Sequence, residues 1–312
     1  MIVVHIKGGL GNQLFQYAAA RRLAAHLGTQ LRLDLSSYAG GKDKRTDGLQ
    51  AFAREVVLFD FCTVGTQATA EDLADSRDHF IASNPLHRAV RLVRRVQPGF
   101  LCRRSHVRER SLAFEPGVLA LPDGTYLDGY WQSWKYFADS GPVIRQEFQP
   151  RDDRLVRYAD EYLARIRTRH GTVVSLHVRR GDLAHAVGVL GRKSIVQGEP
   201  LELAYFQMAM ARFPAGTAFL VFSDSPSDIE WCRSNIRGKC LFFSENHNDI
   251  QDFVLMSRCD HNITANSTFS WWAAWLNAAA SRRVVSPRAW FSRGSKYANL
   301  QNDLIPKGWE IL

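Results

Sequence analysis

The sequence predicts an α/β fold built on parallel sheets and divided into two domains. Three observations carry this. The chain opens as strand, glycine turn, helix and strand. Between residues 172 and 286, strand-like segments alternate with helix-like ones. And 312 residues, 46% of them hydrophobic and 11% aromatic, suffice for two cores and argue against disorder.

Met1–Lys7 reads as a strand, Gly8-Gly9-Leu10-Gly11-Asn12 as a turn, and 13–27 as a helix. Leu14, Tyr17, Ala18, Leu23, Ala24 and Leu27 keep a spacing near 3.6, and Gly28 closes the helix. Leu31–Leu35 is the next strand. Residues 36–150 carry little pattern beyond a strand-like Thr125–Tyr130, and Pro142 and Pro150 punctuate their end. A domain boundary is placed near 150. A helix is expected over 152–169. Strands are expected at Thr172–Val178, Ala218–Phe222, Lys239–Phe243, Asn262–Ala265 and Arg283–Ser286. The helices between them fall at 201–213, 226–236, 249–258 and 268–279. Such alternation implies parallel βαβ units. Region 151–290 therefore reads as a doubly wound domain, whose ligands bind at the carboxyl ends of the strands.

The charge balance is 40 Lys+Arg against 31 Asp+Glu, a net +9. A basic protein suits an anionic partner such as a nucleotide diphosphate, an acidic glycan, a membrane surface or nucleic acid. The five cysteines form no CxxC pair, so neither a disulfide framework nor a zinc ribbon is implied. No signal peptide and no apolar run near the roughly 20 residues of a spanning helix is visible. A cytoplasmic location is expected. Arg88, Arg91, Arg94, Arg95, Arg103, Arg104, Arg108 and Arg110 crowd one stretch. It reads either as a solvated basic helix, slightly favoured, or as a peripheral contact with the inner membrane.

His177-Val-Arg179-Arg180-Gly-Asp182 lies where a strand meets its loop. Two arginines there supply the fixed donors that a departing diphosphate needs. Asp182 is placed to accept a proton or to orient them. A solvated turn or a chance Arg-Gly-Asp tripeptide are the bland readings. Asp224, after the strand at 219–223, suits a ribose hydroxyl or a base edge. Ser225 and Pro226 beside it suit a helix cap and first turn. Asn266-Ser267-Thr268-Phe-Ser270 puts small hydroxyl residues at a helix start, where phosphate binds. Trp271, Trp272 and Trp275 read as packing. The Gly8–Asn12 turn is neither a full dinucleotide fingerprint nor a P-loop, because Leu14 stands at the third glycine's place and no Gly-Lys-Ser/Thr follows. No metal-ligand cluster is found.

Together these motifs resemble the bacterial α-1,2-fucosyltransferases. Gly8-Gly-Leu-Gly-Asn-Gln-Leu-Phe-Gln-Tyr17, His177–Asp182, Ser223-Asp224, His261–Trp272 and Asp303–Trp309 stand in that family's order. The resemblance implies a GT-B-like α/β fold, two Rossmann-like domains facing a central cleft. Residues 1–150 would be acceptor-side, 151–290 would bind the donor, and 291–312 would pack back on the first domain. It implies inverting, metal-independent transfer of L-fucose from GDP-β-L-fucose to the 2-hydroxyl of a galactose-containing glycan, as in O-antigen biosynthesis. No cofactor and no nucleic-acid partner are implied. Arg179, Arg180, Asp224, Ser267, Thr268 and Ser270 would bind the nucleotide, and Gly9, Gly11, Asn12 and Gln13 would face the cleft. Arg180, Asp182 and His177 are the expected catalytic residues, Asp182 the first candidate base and His177 the second. Leu183, Ala204, Ser225 and the stretch 184–200 depart from the family's pattern, and such loops govern acceptor choice. Rival readings are a fucosyltransferase of α-1,6 or peptide-O linkage, and a non-catalytic basic module for nucleic acid or adhesion.

Overall fold

The structure is a computed structural model that describes residues 1–38, 56–62, 64–76, 105–180, 199–245, 247–291 and 297–312. It divides into two compact units, Met1–Glu147 and Phe148–Leu312.

The first unit starts with β1 (Ile2–His5), α1 (Leu10–His26) and β2 (Leu31–Asp34). β3 (Thr66–Gln67), α2 (Ala70–Ser76), β4 (His106–Arg108), β5 (Tyr126–Asp128) and α3 (Gly141–Glu147) follow. The strands form one sheet in the order β3-β2-β1-β5-β4, and every pairing is parallel. β1 is central, and its Ile2, Val3 and Val4 are wholly buried. A strand covered on both faces reads as a continuous apolar run, as here. Gly8, at φ 82°, turns the chain from β1 into α1. That left-handed φ favours glycine, and a Cβ there would also meet the Asn12 side-chain nitrogen at 2.7 Å. α1 begins at Leu10, earlier than the sequence pattern suggests, and Gly11 is buried inside it.

The second unit contains α4 (Asp153–His170), β6 (Val173–Val178), α5 (Leu203–Met210), β7 (Ala218–Ser223) and α6 (Pro226–Asn235). Then come β8 (Leu241–Phe243), α7 (Asp249–Arg258), β9 (His261–Ile263), α8 (Thr268–Leu276), β10 (Val284–Ser286), α9 (Gln301–Leu304) and β11 (Glu310–Ile311). Asp152 caps α4 by accepting from the Arg154 amide, and Gly171 ends it at φ 71°. Ala159, Leu163 and Ile166 form its buried stripe. The sheet runs β11-β10-β9-β6-β7-β8, again parallel throughout. Its core joins Val174, Leu176 and Val178 of β6 to Tyr205, Phe206 and Ala209 of α5. Trp271 and Trp272 are wholly buried and Trp275 nearly so, as packing residues should be.

Both units are Rossmann-like. In the second the strand order reverses between β6 and β9, and in the first between β1 and β5. Ligand crevices form at such switch points, outside the carboxyl ends of the strands.

The described residues of 291–312 belong to the second unit. Val285 and Ser286 pair in register with Glu310 and Ile311, so main-chain bonding fixes the end of the chain as an edge strand. Of the arginine-rich stretch, 88–104 lies outside the described residues. Among the described residues no helix is long and apolar enough to cross a membrane.

Candidate active site

The second unit's switch point brings the end of β6 together with the loop between β9 and α8. β6 delivers His177, Arg179 and Arg180 to one side, and β9 runs into Thr264–Ser267 and α8 on the other. Arg179 reaches across: its Nη1 donates to the main-chain carbonyl of Asn266 at 3.2 Å. Ser267 is the N-cap residue of α8, but its hydroxyl makes no capping bond. The amides of the first turn and the positive end of the dipole therefore meet the same place as Arg179. The Asn266 side chain donates to the Glu199 carbonyl at 2.9 Å, while its Oδ1 is buried and has no hydrogen-bond partner among the described residues.

Arg180 turns the other way. Its guanidinium stacks on the Trp231 ring of α6, with 3.7 Å between the central carbon and the ring centroid. Nε lies 3.8 Å from Asp228 Oδ1. The Arg180 amide donates to Asp224 Oδ2 at 3.1 Å, and the Ser223 hydroxyl donates to the Val178 carbonyl at 2.7 Å. The ends of β6 and β7 are thus stitched together. Ser225 caps α6 by accepting from the Asp228 amide, and Pro226 fills the first helical position.

Other predicted residues take supporting places. Ser270 is buried; its hydroxyl accepts from the Ala265 amide and donates to the Ser267 carbonyl, bracing the turn before α8. Thr268 is half-buried at the helix start. His177 is buried beside Phe269, and burial together with the Arg179 charge pushes its pKa down to about 3. The imidazole is neutral at working pH and poorly matched to a base poised near neutrality. Asp182 lies outside the described residues.

At the first unit's switch point, Gly9 and Asn12 are half-buried, and Asn12 Oδ1 accepts from the Gln132 side chain at 2.7 Å. Gln13 is wholly buried. Its amide nitrogen donates to the Gly8 carbonyl and the Tyr38 hydroxyl, and its oxygen accepts from the amides of Val57 and Leu58. That side chain braces the loop rather than presenting donors.

The profile of glycosyl transferase family 11 matches residues 115–310, more than half of the chain. The chain belongs to glycosyl transferase family 11. The O-antigen biosynthesis glycosyltransferase WbnK of Escherichia coli is 29% identical over 305 residues, covering 93% of this chain and 95% of its own. An alpha-1,2-colitosyltransferase of the same organism is 29% identical over 298 residues, covering 94% and 93%. The galactoside alpha-(1,2)-fucosyltransferase 1 of Sus scrofa is 34% identical over 160 residues, but this chain spans only 42% of its length. Among solved structures, POFUT1 in complex with GDP superposes with a TM-score of 0.50 at 14% identity, covering 91% of this chain and 96% of that one. At that identity the likeness bears on the fold alone, which is of the GT-B type.

Two groups of residues in this family 11 glycosyltransferase escape sequence reasoning. Trp231 and Asp228 lie on α6, some fifty residues from the arginine that they hold, and a stacked cation leaves no local pattern. The second group surrounds Asp128 at the end of β5. Asp128 Oδ1 accepts from Lys7 Nζ at 2.9 Å and meets His5 Nδ1 at 3.3 Å, while Oδ2 lies 3.6 Å from both His106 Nε2 and Arg108 Nε. Burial opposes its ionisation, but the contacts with His106, His5 and Lys7 outweigh that and hold the carboxyl well below the usual range.

Proposed function

We propose that the chain transfers L-fucose from GDP-β-L-fucose to the 2-hydroxyl of a galactoside, with inversion at the anomeric carbon. The observation that carries the reading is Arg179 spanning the switch point beside the uncapped start of α8. Charge grows on the diphosphate as it leaves, and a preorganised guanidinium and a helix N-terminus are suited to meet it. Arg180, stacked on Trp231, is a second cation at the end of β6, and Asp224 accepts from its amide.

In this reading the bond from fucose C1 to the β-phosphate oxygen breaks and GDP takes the electron pair. The acceptor oxygen attacks C1 from the opposite face, and its proton passes to Asp182 or to water. The more oxocarbenium-like the transition state, the less a strong base is required. Guanidinium groups and the helix dipole neutralise the leaving group, so the transfer is proposed to be independent of metal. The bacterial relatives support an O-antigen glycan as acceptor. The colitosyltransferase among them supports a second reading, with GDP-colitose as donor.

Incubation with GDP-fucose or GDP-colitose and a panel of β-galactosides, followed by linkage analysis, tests this. An α-1,2-fucosyl product supports the first reading. An α-1,6 linkage, or transfer of colitose alone, contradicts it.

A further inference from the structure

We infer that the first unit carries a subsite for a neutral sugar, in which Asp128 and Lys7 grip a pair of neighbouring hydroxyls. This rests on the fucosyl-transfer reading and specifies how the acceptor is held.

The two switch points differ in charge. In the second unit the groups at the crevice are a guanidinium and a helix N-terminus. In the first, the central group is a carboxylate, held ionised by its basic neighbours. Lys7, Arg108, His5 and His106 all contact Asp128, and an anion placed on the patch would face that carboxylate. A polyhydroxylated neutral ligand suits it. An ionised carboxylate accepts from one hydroxyl, while the neighbouring ammonium, with three donors, gives to the next oxygen.

The details fit that use. Asp128 lies at the carboxyl end of β5, beside the strand-order reversal, and its side chain is 24% exposed. Its shorter contacts use Oδ1, while Oδ2 meets His106 and Arg108 only at 3.6 Å. The lysine nitrogen stands 5.1 Å from the centre of the half-buried Tyr130 ring, so an aromatic face adjoins the charged pair. Sugars present an apolar C–H face and a hydroxyl edge, and pockets for such ligands combine aromatic surface with a few placed polar groups. Gln132 follows in the same loop, oriented by Asn12. Beneath it Glu109 accepts from the amides of Tyr130 and Trp131 at 2.7 and 2.9 Å. Gly129 packs so closely on Glu109 that a Cβ would come within 2.4 Å of it. The loop carrying Tyr130 and Gln132 is therefore held from below and presented at the edge of the sheet.

The test uses the purified full chain with GDP-β-L-fucose and methyl β-D-galactoside. The variants are Asp128→Asn and Gln132→Ala. Each is assayed for the KM of donor and acceptor, for GDP release without acceptor, and for thermal stabilisation by GDP. The expected result is an acceptor KM raised about tenfold in Asp128→Asn and several-fold in Gln132→Ala, the loss of a charged or a neutral hydrogen bond. Donor KM, acceptor-free GDP release and GDP stabilisation stay within about twofold of the unsubstituted chain in both. If Asp128→Asn gives no cooperative melting transition, Gln132→Ala decides. An unchanged acceptor KM, or acceptor and donor KM rising together, overturns the subsite while leaving the functional reading intact. If the unsubstituted chain neither releases GDP nor transfers, the functional reading fails and the subsite with it.

Discussion

Arg179 donates to the Asn266 carbonyl at 3.2 Å, so a cation leaving the end of β6 is tied to the loop that leaves β9. The bond spans the place between β6 and β9 where the strand order reverses. It fixes a guanidinium at the crevice before any ligand arrives, and such preorganisation gives electrostatic catalysis most of its effect.

Replacing Arg179 by alanine should lower kcat by about 100- to 1,000-fold, the scale of losing one preorganised transition-state donor. The side chain is half-buried and makes a main-chain contact. Unfolding free energy should therefore change by only about 1 kcal/mol. Single-turnover GDP release and urea unfolding measure the two effects separately.

Trp231 should matter through Arg180. A cation stacked on an indole is worth about 0.5–2 kcal/mol. Trp231→Ala is expected to reduce kcat/KM by roughly three- to thirtyfold, and Trp231→Phe to restore much of it. Equal activity of the alanine and phenylalanine variants would show that the stack does not position the arginine.

Gln13 should behave as a structural residue. Its amide is wholly buried and bonds to the Gly8 carbonyl, the Tyr38 hydroxyl and the amides of Val57 and Leu58. Gln13→Ala leaves those groups unsatisfied, and a loss of about 1–3 kcal/mol is expected in denaturant melts. Donor affinity of the folded fraction should be unchanged.

His177 ties stability to pH. Its pKa is about 3 in the folded chain, lowered by burial and by the Arg179 charge, against about 6.5 when unfolded. Above the unfolded value both states hold a neutral imidazole, and the group adds no pH dependence. As pH falls toward 3 only the unfolded state takes up the proton, so stability is lost by at most about 1.4 kcal/mol per unit. A His177→Asn variant should lose less stability across that window, as denaturant titrations at stepped pH will show. The rate profile near neutral pH should contain no ionisation from this imidazole.

Much of the second unit was legible because its strands are apolar runs separated by capped helices. β6, for example, is buried along its whole length, and α7 follows Asn248, which forms a capping box with Gln251. The ends of those strands could be read as a ligand edge for the same reason. The first unit was harder. β3, β4 and β5 are only two or three residues long, too short for periodicity to register. Asp128 carries no motif, because His5, Lys7, His106 and Arg108 reach it from β1, the turn after it and β4, which flank β5 in the sheet but are separate from it in sequence. Gln13 shows what a motif leaves open, since a buried amide, as here, and a ligand-facing one look the same in a glycine turn.

Thermal stabilisation by GDP, compared with ADP and UDP, in the unsubstituted chain and in Arg179→Ala tests the central claim most directly. The account predicts a clear upward shift with GDP, smaller shifts with the other two, and loss of most of the GDP shift in the variant. Equal shifts with all three nucleotides, or a full GDP response without the Arg179 side chain, would contradict it.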